Sequence, residues 1–242
     1  VTPDAPGSAD LPELPPTSWA VLGMLSYGEE VSGYDIKKWA DWSIRHYYWS
    51  PSFSQVYSEL KRLEKHGFAT SRMSDDGGRT RRMYRITDEG VAAIARWEAD
   101  APVEQPMLKH GVLLRVAFGH VGEPDRLKQI LREHAHRMGE LQHQVSLDEK
   151  AAESEPGWSY ARLAMRWAER YYASERALAY ELIDEIDDVD RVLKDARRPE
   201  ESFPHPRPGH WREVEKQRQG VEPEGGARPD RSAGRVRRGG VD

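Results

Sequence analysis

The sequence predicts a mainly α-helical fold with one small β-hairpin, and three observations carry that prediction. Phe53, Val56, Leu60 and Leu63 recur at intervals of three and four, which is one buried helical face. Two strand-like runs, residues 69–73 and 79–87, flank the turn-rich stretch Ser74-Asp75-Asp76-Gly77-Gly78. Beyond Pro102 and Pro106, apolar residues repeat every three or four positions along two long stretches separated by Pro156-Gly157.

The first sixteen residues hold five prolines and no periodicity, and read as a mobile arm, residues 1–16. Thr17 or Ser18 is the expected cap of a short apolar helix carrying Trp19, Leu22 and Leu25. Ser32-Gly33-Tyr34-Asp35 has the spacing of a capping box and opens a second helix. A third is expected near Ser50-Pro51-Ser52, with proline tolerated in the first turn and Gly67 as the stop. After the hairpin, Thr87 caps a further helix, with Asp88 and Glu89 placed at its positive end. Three helices, a hairpin and a helix make the order of a winged helix-turn-helix, spanning residues 17–100 with 101–106 as linker.

Residues 107–197 are expected to form an α-helical dimerisation and effector domain. Residues 107–118 are apolar enough for a packed helix, and Glu123-Pro124 opens a helix of roughly thirty residues. Its predicted seam is Leu127, Leu131, His134, Met138, Leu141 and Val145. The next helix carries Leu163, Trp167, Tyr171, Ser174, Leu178, Leu182, Ile186, Val189 and Leu193 as the matching seam. Trp158, Tyr160, Tyr172, Ile183 and Val192 would then face water in a monomer, which predicts a homodimer. Residues 198–242, rich in proline and glycine, read as a disordered tail.

The chain has 242 residues, a formal net charge of −5 and no cysteine, which excludes disulfide scaffolds, thiol nucleophiles and cysteine-held metal sites. No apolar run approaches the ~20 residues of a membrane span, and no secretion signal is read, so a cytoplasmic protein is expected. No nucleophile–base–acid set, phosphate loop or dinucleotide fingerprint appears, so no enzyme and no cofactor is expected. Glu133 with His136, and Glu140 with His143, share a spacing found in di-iron bundles. Both lie on one helix, so surface ion pairs are the simpler reading and no metal is expected. His134 falls on the apolar seam and reads as an interface histidine. The acidic run 184–190 lacks the turn glycine of a calcium loop and reads as a solvated face.

The outward face of the third helix presents Ser54, Gln55, Ser58, Lys61, Arg62 and Lys65, groups that hydrogen-bond base edges and phosphates. Between Lys61 and Arg85 there are eight basic residues and three acidic ones; between Gly119 and Asp195 there are eleven basic and seventeen acidic. Positive charge is thus concentrated where phosphates would be neutralised. Gln55 has a competing use, completing a capping box with Ser52.

Three segments resemble the PadR-type transcriptional regulators. They are Trp19 to Leu25 with Ser32-Gly-Tyr-Asp-Ile, Tyr48 to Glu64 with its Leu-Lys-Arg-Leu run, and Gly78 to Gly90. The resemblance implies a winged-helix dimer on a palindromic double-stranded DNA operator, usually a repressor released by a small ligand. It implies Tyr57 on a phosphate, Ser54, Gln55, Ser58 and Lys61 at or near base edges, and the wing, with Arg79, Arg81 and Arg82, on the adjacent backbone or minor groove. Arg79, by the loop tip, is a stronger candidate than Arg85. Among the aromatic residues, Trp97, Trp158, Trp167 and Tyr171 are candidates for binding a small aromatic or phenolic effector. The competing reading is a winged-helix protein–protein adaptor without DNA binding.

Overall fold

The structure is a computed structural model that describes residues 12–27, 29–76, 79–103, 108–200, 204 and 208–219. Most of the arm, the wing tip Gly77-Gly78, the Arg79 side chain, part of the linker with Met107, and the arginines near the C-terminus lie outside the described residues.

Helix α1 (Pro16–Leu25) takes Pro16 as its first residue and has no side-chain cap. Thr17 and Ser18 are therefore inside the helix, not at its cap. Proline suits the first helical position because the missing N–H would be unpaired there anyway. Ser18 instead turns its hydroxyl inward to the buried Glu59 carboxylate. Two residues, β1 (Val31–Ser32), then pair with a later strand; so short a run shows no alternation in sequence. Helix α2 (Gly33–Trp42) opens with the expected box. The Asp35 N–H donates to Ser32 Oγ at 3.3 Å, and the Ser32 N–H donates to the Asp35 carboxylate at 3.0 Å.

Helix α3 (Phe53–Lys65) starts two residues later than a proline at its first position requires: Ser52 is the N-cap and Pro51 is buried just outside. It ends as expected. Gly67 takes φ +75°, with Phe68 N–H donating to Leu63 O at 2.9 Å and Gly67 N–H to Glu64 O at 3.0 Å, a Schellman closure. Strands β2 (Ala69–Asp76) and β3 (Arg79–Ile86) form the hairpin, and β1 adds to β3, giving the order β1-β3-β2. Thr87 caps α4 (Asp88–Asp100), accepting from the Gly90 N–H at 3.0 Å.

The core of this half gathers Trp19, Leu22, Leu25, Ile36, Val56, Leu60, Leu63 and Tyr84. Phe53 departs from its expected place. It is 44% exposed and stacks on Tyr34 at 5.8 Å, because at the first turn of α3 the chain has not yet reached the core.

Beyond the linker, α5 (Gly111–Ala117) is shorter than the expected 107–118 helix and has no fully buried residue. Helix α6 (Pro124–Ala151) follows the predicted seam, with Leu131 and Val145 buried and Leu127, His134, Met138 and Leu141 half-buried. Helix α7 (Ser159–Ala196) does so only in part: Ile186 is buried and Leu182 and Leu193 half-buried, as expected. Leu163, Trp167, Tyr171, Ser174 and Leu178 of the expected inner seam are exposed, while Met165, Ala168 and Ala179 are buried and Tyr172 and Ile183 half-buried. Alanines interleave with Leu131, Ile186 and Met165 at the packed face and let the backbones approach closely, while the bulky stripe of the first half of α7 faces outward. Spacing shows that both stripes exist but not which one meets the chain's own partner helix.

The chain forms two compact units, one up to Asp190 and one from Arg191. The expected boundary at 101–106 does not separate compact units. Tyr172 Oη donates to His46 O at 2.7 Å, His46 Nε2 meets Asp148 at 2.8 Å, and Trp42 packs edge-on to Trp158 at 4.9 Å. In the second unit, the tail read as disordered contains a nine-residue helix, α8 (Trp211–Gln219). Its run of helix-forming residues, with Glu213 in the first turn and Lys216 and Arg218 in the last, suits the helix dipole.

Candidate nucleic-acid interface

The register of α3 follows from its anchors. Val56, Leu60 and Leu63 are fully buried, so Ser54, Gln55, Tyr57, Ser58, Lys61, Arg62 and Lys65 are all turned to the surface. Several of these already have partners. The Gln55 carbonyl accepts from the Ser52 N–H at 2.8 Å, completing the capping box. Ser54 Oγ lies 3.0 Å from Ser52 Oγ. Arg62 Nε donates to Glu59 at 2.9 Å. Ser58, Lys61 and Lys65 have no hydrogen bond or ion pair from their side chains among the described residues.

Tyr57 lies across the start of α2. A Cβ added at Gly33 would stand 2.5 Å from the Tyr57 ring, so glycine there is what lets the ring settle. Tyr57 remains about two-fifths exposed.

The wing adds cations by pairing register. Arg82 sits opposite Met73 and Arg81 opposite Ser74, while buried Tyr84 pairs with Ser71. Alternation therefore puts Arg82 on the Tyr84 side of the hairpin, and Arg81 and Arg85 on the other. Ser71 Oγ donates to Glu64 of α3 at 2.5 Å, tying that side to the helix. Burial raises the Tyr84 phenol above its usual pKa, against the hydrogen bond with Arg82 that lowers it, and Tyr57 and Glu64 act on the same group. Arg82, Tyr84 and Tyr57 thus converge beside α3. Two of the eight cations of the stretch are offset. Arg72 donates from Nε to both Glu30 oxygens at 2.9 and 3.0 Å, and its guanidinium holds the Glu30 carboxyl below the usual range. Arg62 is held by Glu59. Both carboxylates lie outside the Lys61–Arg85 window, so a linear charge count overstates the patch.

Residues 21–96 match the family model described as the transcriptional regulator PadR-like family. Residues 21–96 are thus similar to a PadR-like domain. A curated relative, the negative transcriptional regulator PadR of Bacillus subtilis (strain 168), is 39% identical over 80 residues, covering 33% of this chain and 43% of the relative's length. The fold extends further than the PadR-like domain. Bacillus subtilis PadR in complex with operator DNA superposes with a TM-score of 0.65 at 22% identity, covering 72% of this chain and 98% of that one. A PadR-like transcriptional regulator from Bacillus cereus gives a TM-score of 0.59 at 23% identity over 71% and 98% of the two chains. The Vibrio cholerae virulence activator AphA gives 0.57 at 22% identity over 71% and 98%. These structural likenesses show that the winged helix and long helices together form one known fold.

The aromatic candidates do not come together. Trp97 stacks on Trp19 at 5.5 Å, and Trp167 stacks on Tyr171 at 5.6 Å on the exposed face of α7. Trp158 alone lines an enclosed cavity of about 90 Å³, with Tyr27, Trp39, Trp42 and Tyr47. Burial pushes the Tyr47 phenol up to about 12 and raises that of Tyr27, so both remain hydrogen-bond donors.

Of the Glu-x-x-His steps, His136 pairs with Glu140 at 3.4 Å and Glu133 lies 3.6 Å from Arg126, all exposed. His134 meets Glu175 at 3.2 Å, and His110 meets the same carboxylate oxygen at 2.9 Å. Burial disfavours the charged Glu175, but the hydrogen bonds from His110 and His134 outweigh it and hold its carboxyl below the usual range. Sequence reading missed His110 and Glu175. They stand 65 positions apart, and no local spacing joins them.

No described helix is long and apolar enough to cross a membrane.

Proposed function

We propose that this protein is a homodimeric, sequence-specific DNA-binding transcriptional regulator. It acts as a repressor released from a palindromic operator by a small aromatic or phenolic effector. The observation that carries the reading is the anchoring of α3. Three buried residues fix its rotation, and Ser58, Lys61 and Lys65 stand outward beside the Tyr57–Arg82 corner. Ser58 and Lys61 read base edges; Tyr57, Arg81 and Arg82 hold phosphates; Arg79 extends the wing along the backbone. The operator-bound form of the Bacillus subtilis relative supports this use of the fold, and its description as a negative regulator supports repression.

Dimerisation is supported by the outward stripe of α7. Tyr160, Leu163, Trp167, Tyr171 and Leu178 are exposed at helical spacing, and apolar stripes of this kind mark interfaces. Two α3 helices in such a dimer would meet half-sites about 34–36 Å apart on one face of DNA. Effector release draws support from a structure of Bacillus subtilis PadR in complex with p-coumaric acid. The Trp158 cavity, lined also by Tyr27 and Tyr47, is the place for such a ligand in this reading, and its volume requires it to widen on binding.

Selection of bound fragments from random duplex DNA tests the reading. Enrichment of a two-fold symmetric sequence is expected. Failure to enrich any duplex at low salt would discard it in favour of an adaptor role.

A further inference from the structure

We propose that His110, His134 and Glu175 form a site for a single divalent transition-metal ion of the zinc class. The donors come from three separate places: the residue that caps α5, the middle of α6 and the middle of α7. Their ligand atoms all lie within 4.8 Å of one another. His110 Nε2 and His134 Nε2 approach the same Glu175 oxygen at 2.9 and 3.2 Å. Tetrahedral zinc with bonds of about 2.0–2.2 Å separates its ligand atoms by roughly 3.3 Å, so the two histidine–glutamate distances need shift by only a few tenths of an ångström, and side-chain rotation closes the histidine–histidine gap from within 4.8 Å. The side chains are largely shielded, at 13%, 13% and 15% exposure. They line a cavity of about 40 Å³ walled by Leu131, Leu178 and Leu182, large enough for one ion and apolar enough to strengthen its pairing with the carboxylate. His110 and His134 also border a wider open cleft, which gives an ion a way in. Two histidines and one glutamate leave a fourth position for solvent or an added ligand.

One contact makes loading visible. The Leu113 N–H donates to His110 Nδ1 at 3.1 Å, so the His110 proton is on Nε2. A metal ion on Nε2 requires that proton to leave, and the neutral ring then carries its proton on Nδ1. Nδ1–H cannot accept from Leu113, so loading releases the first turn of α5 while joining α5, α6 and α7 through the ion. No net proton is gained or lost in that tautomer change.

The test uses the full chain without a polyhistidine tag, stripped with chelator and titrated with Zn²⁺ by calorimetry and with Co²⁺ by visible absorption. One ion per protomer is expected, with the ligand-field bands of four-coordinate Co²⁺ and faster hydrogen exchange at the Leu113 amide. His134→Gln and Glu175→Gln should each weaken binding at least about tenfold. His136→Ala, an exposed histidine on the same cleft, should leave binding unchanged. Glu175→Gln keeps the shape and a hydrogen-bonding oxygen, so a folded variant is obtained even if a truncation is not tolerated. Absence of stoichiometric binding overturns the proposal. So does binding lost in His136→Ala but retained in His134→Gln, or an unchanged Leu113 amide in the loaded protein.

Discussion

Gly90 and Gly33 show how single atoms set this site. A Cβ at Gly90 would stand 2.2 Å from the Phe68 carbonyl oxygen, which the backbone cannot easily yield because Phe68 O also accepts from the Thr87 N–H. Gly90→Ala is expected to cost about 1–3 kcal/mol of stability, read as a lower melting temperature. Gly33→Ala meets only the Tyr57 ring, a side chain with room to swing outward. Its expected effect is small on melting temperature and clear on duplex affinity, since Tyr57 is displaced. Equal affinity for wild type and Gly33→Ala would remove Tyr57 from the interface. Glycines in this chain differ in their visibility in sequence. Gly67 could be read as a helix stop because its position after a basic last turn is a local signal. Gly33 and Gly90 could not, because what they make room for is tens of residues away.

The α3 helix was legible nearly complete. Its caps, its stop and its buried stripe are written in neighbouring residues, and only Phe53 and the exact first residue differ. Helix α7 was legible as a helix but only partly in its facing: Leu182 and Ile186 pack inside as read, while in its first half two apolar stripes compete and small alanines decide which packs inside. The contacts that join the winged helix to α6 and α7 are long-range, part polar and part aromatic, and no periodicity reports them. They carry a pH prediction. Burial is the main cause that holds His46 below its usual pKa of 6.5, and proximity to Arg45 adds to it; the Asp148 hydrogen bond opposes. The unfolded chain therefore binds a proton that the folded chain resists, and stability falls as pH drops through 6.5. His46→Gln should flatten that part of the melting profile while preserving a donor to Asp148. Glu175, with its lowered pKa, contributes in the same direction but below 4.5, so the two windows separate. Tyr172→Phe deletes the hydroxyl that donates to His46 O and should cost about 1 kcal/mol at neutral pH.

The proposed assembly and DNA reading join these parts. If the α7 stripe is the dimer face, Trp167→Glu places a charge in its middle, and sedimentation should shift from dimer to monomer with a matching loss of affinity for a two-fold duplex. An unchanged dimer would move the interface elsewhere. The charge pattern of the sequence put an excess of cations on α3 and the wing, yet Glu30 and Glu59 offset two of the cations it counted. The residues left to act are Ser58, Lys61 and Lys65 with the Tyr57–Arg82 corner. The decisive measurement is therefore the binding of a Ser58→Ala/Lys61→Ala variant to the duplexes that the unaltered protein selects, over a range of salt. The variant should prefer different sequences, and removal of one phosphate or base cation should reduce the salt slope by about one. The same preferred sequence, at the same affinity and salt slope, would mean that α3 does not read DNA.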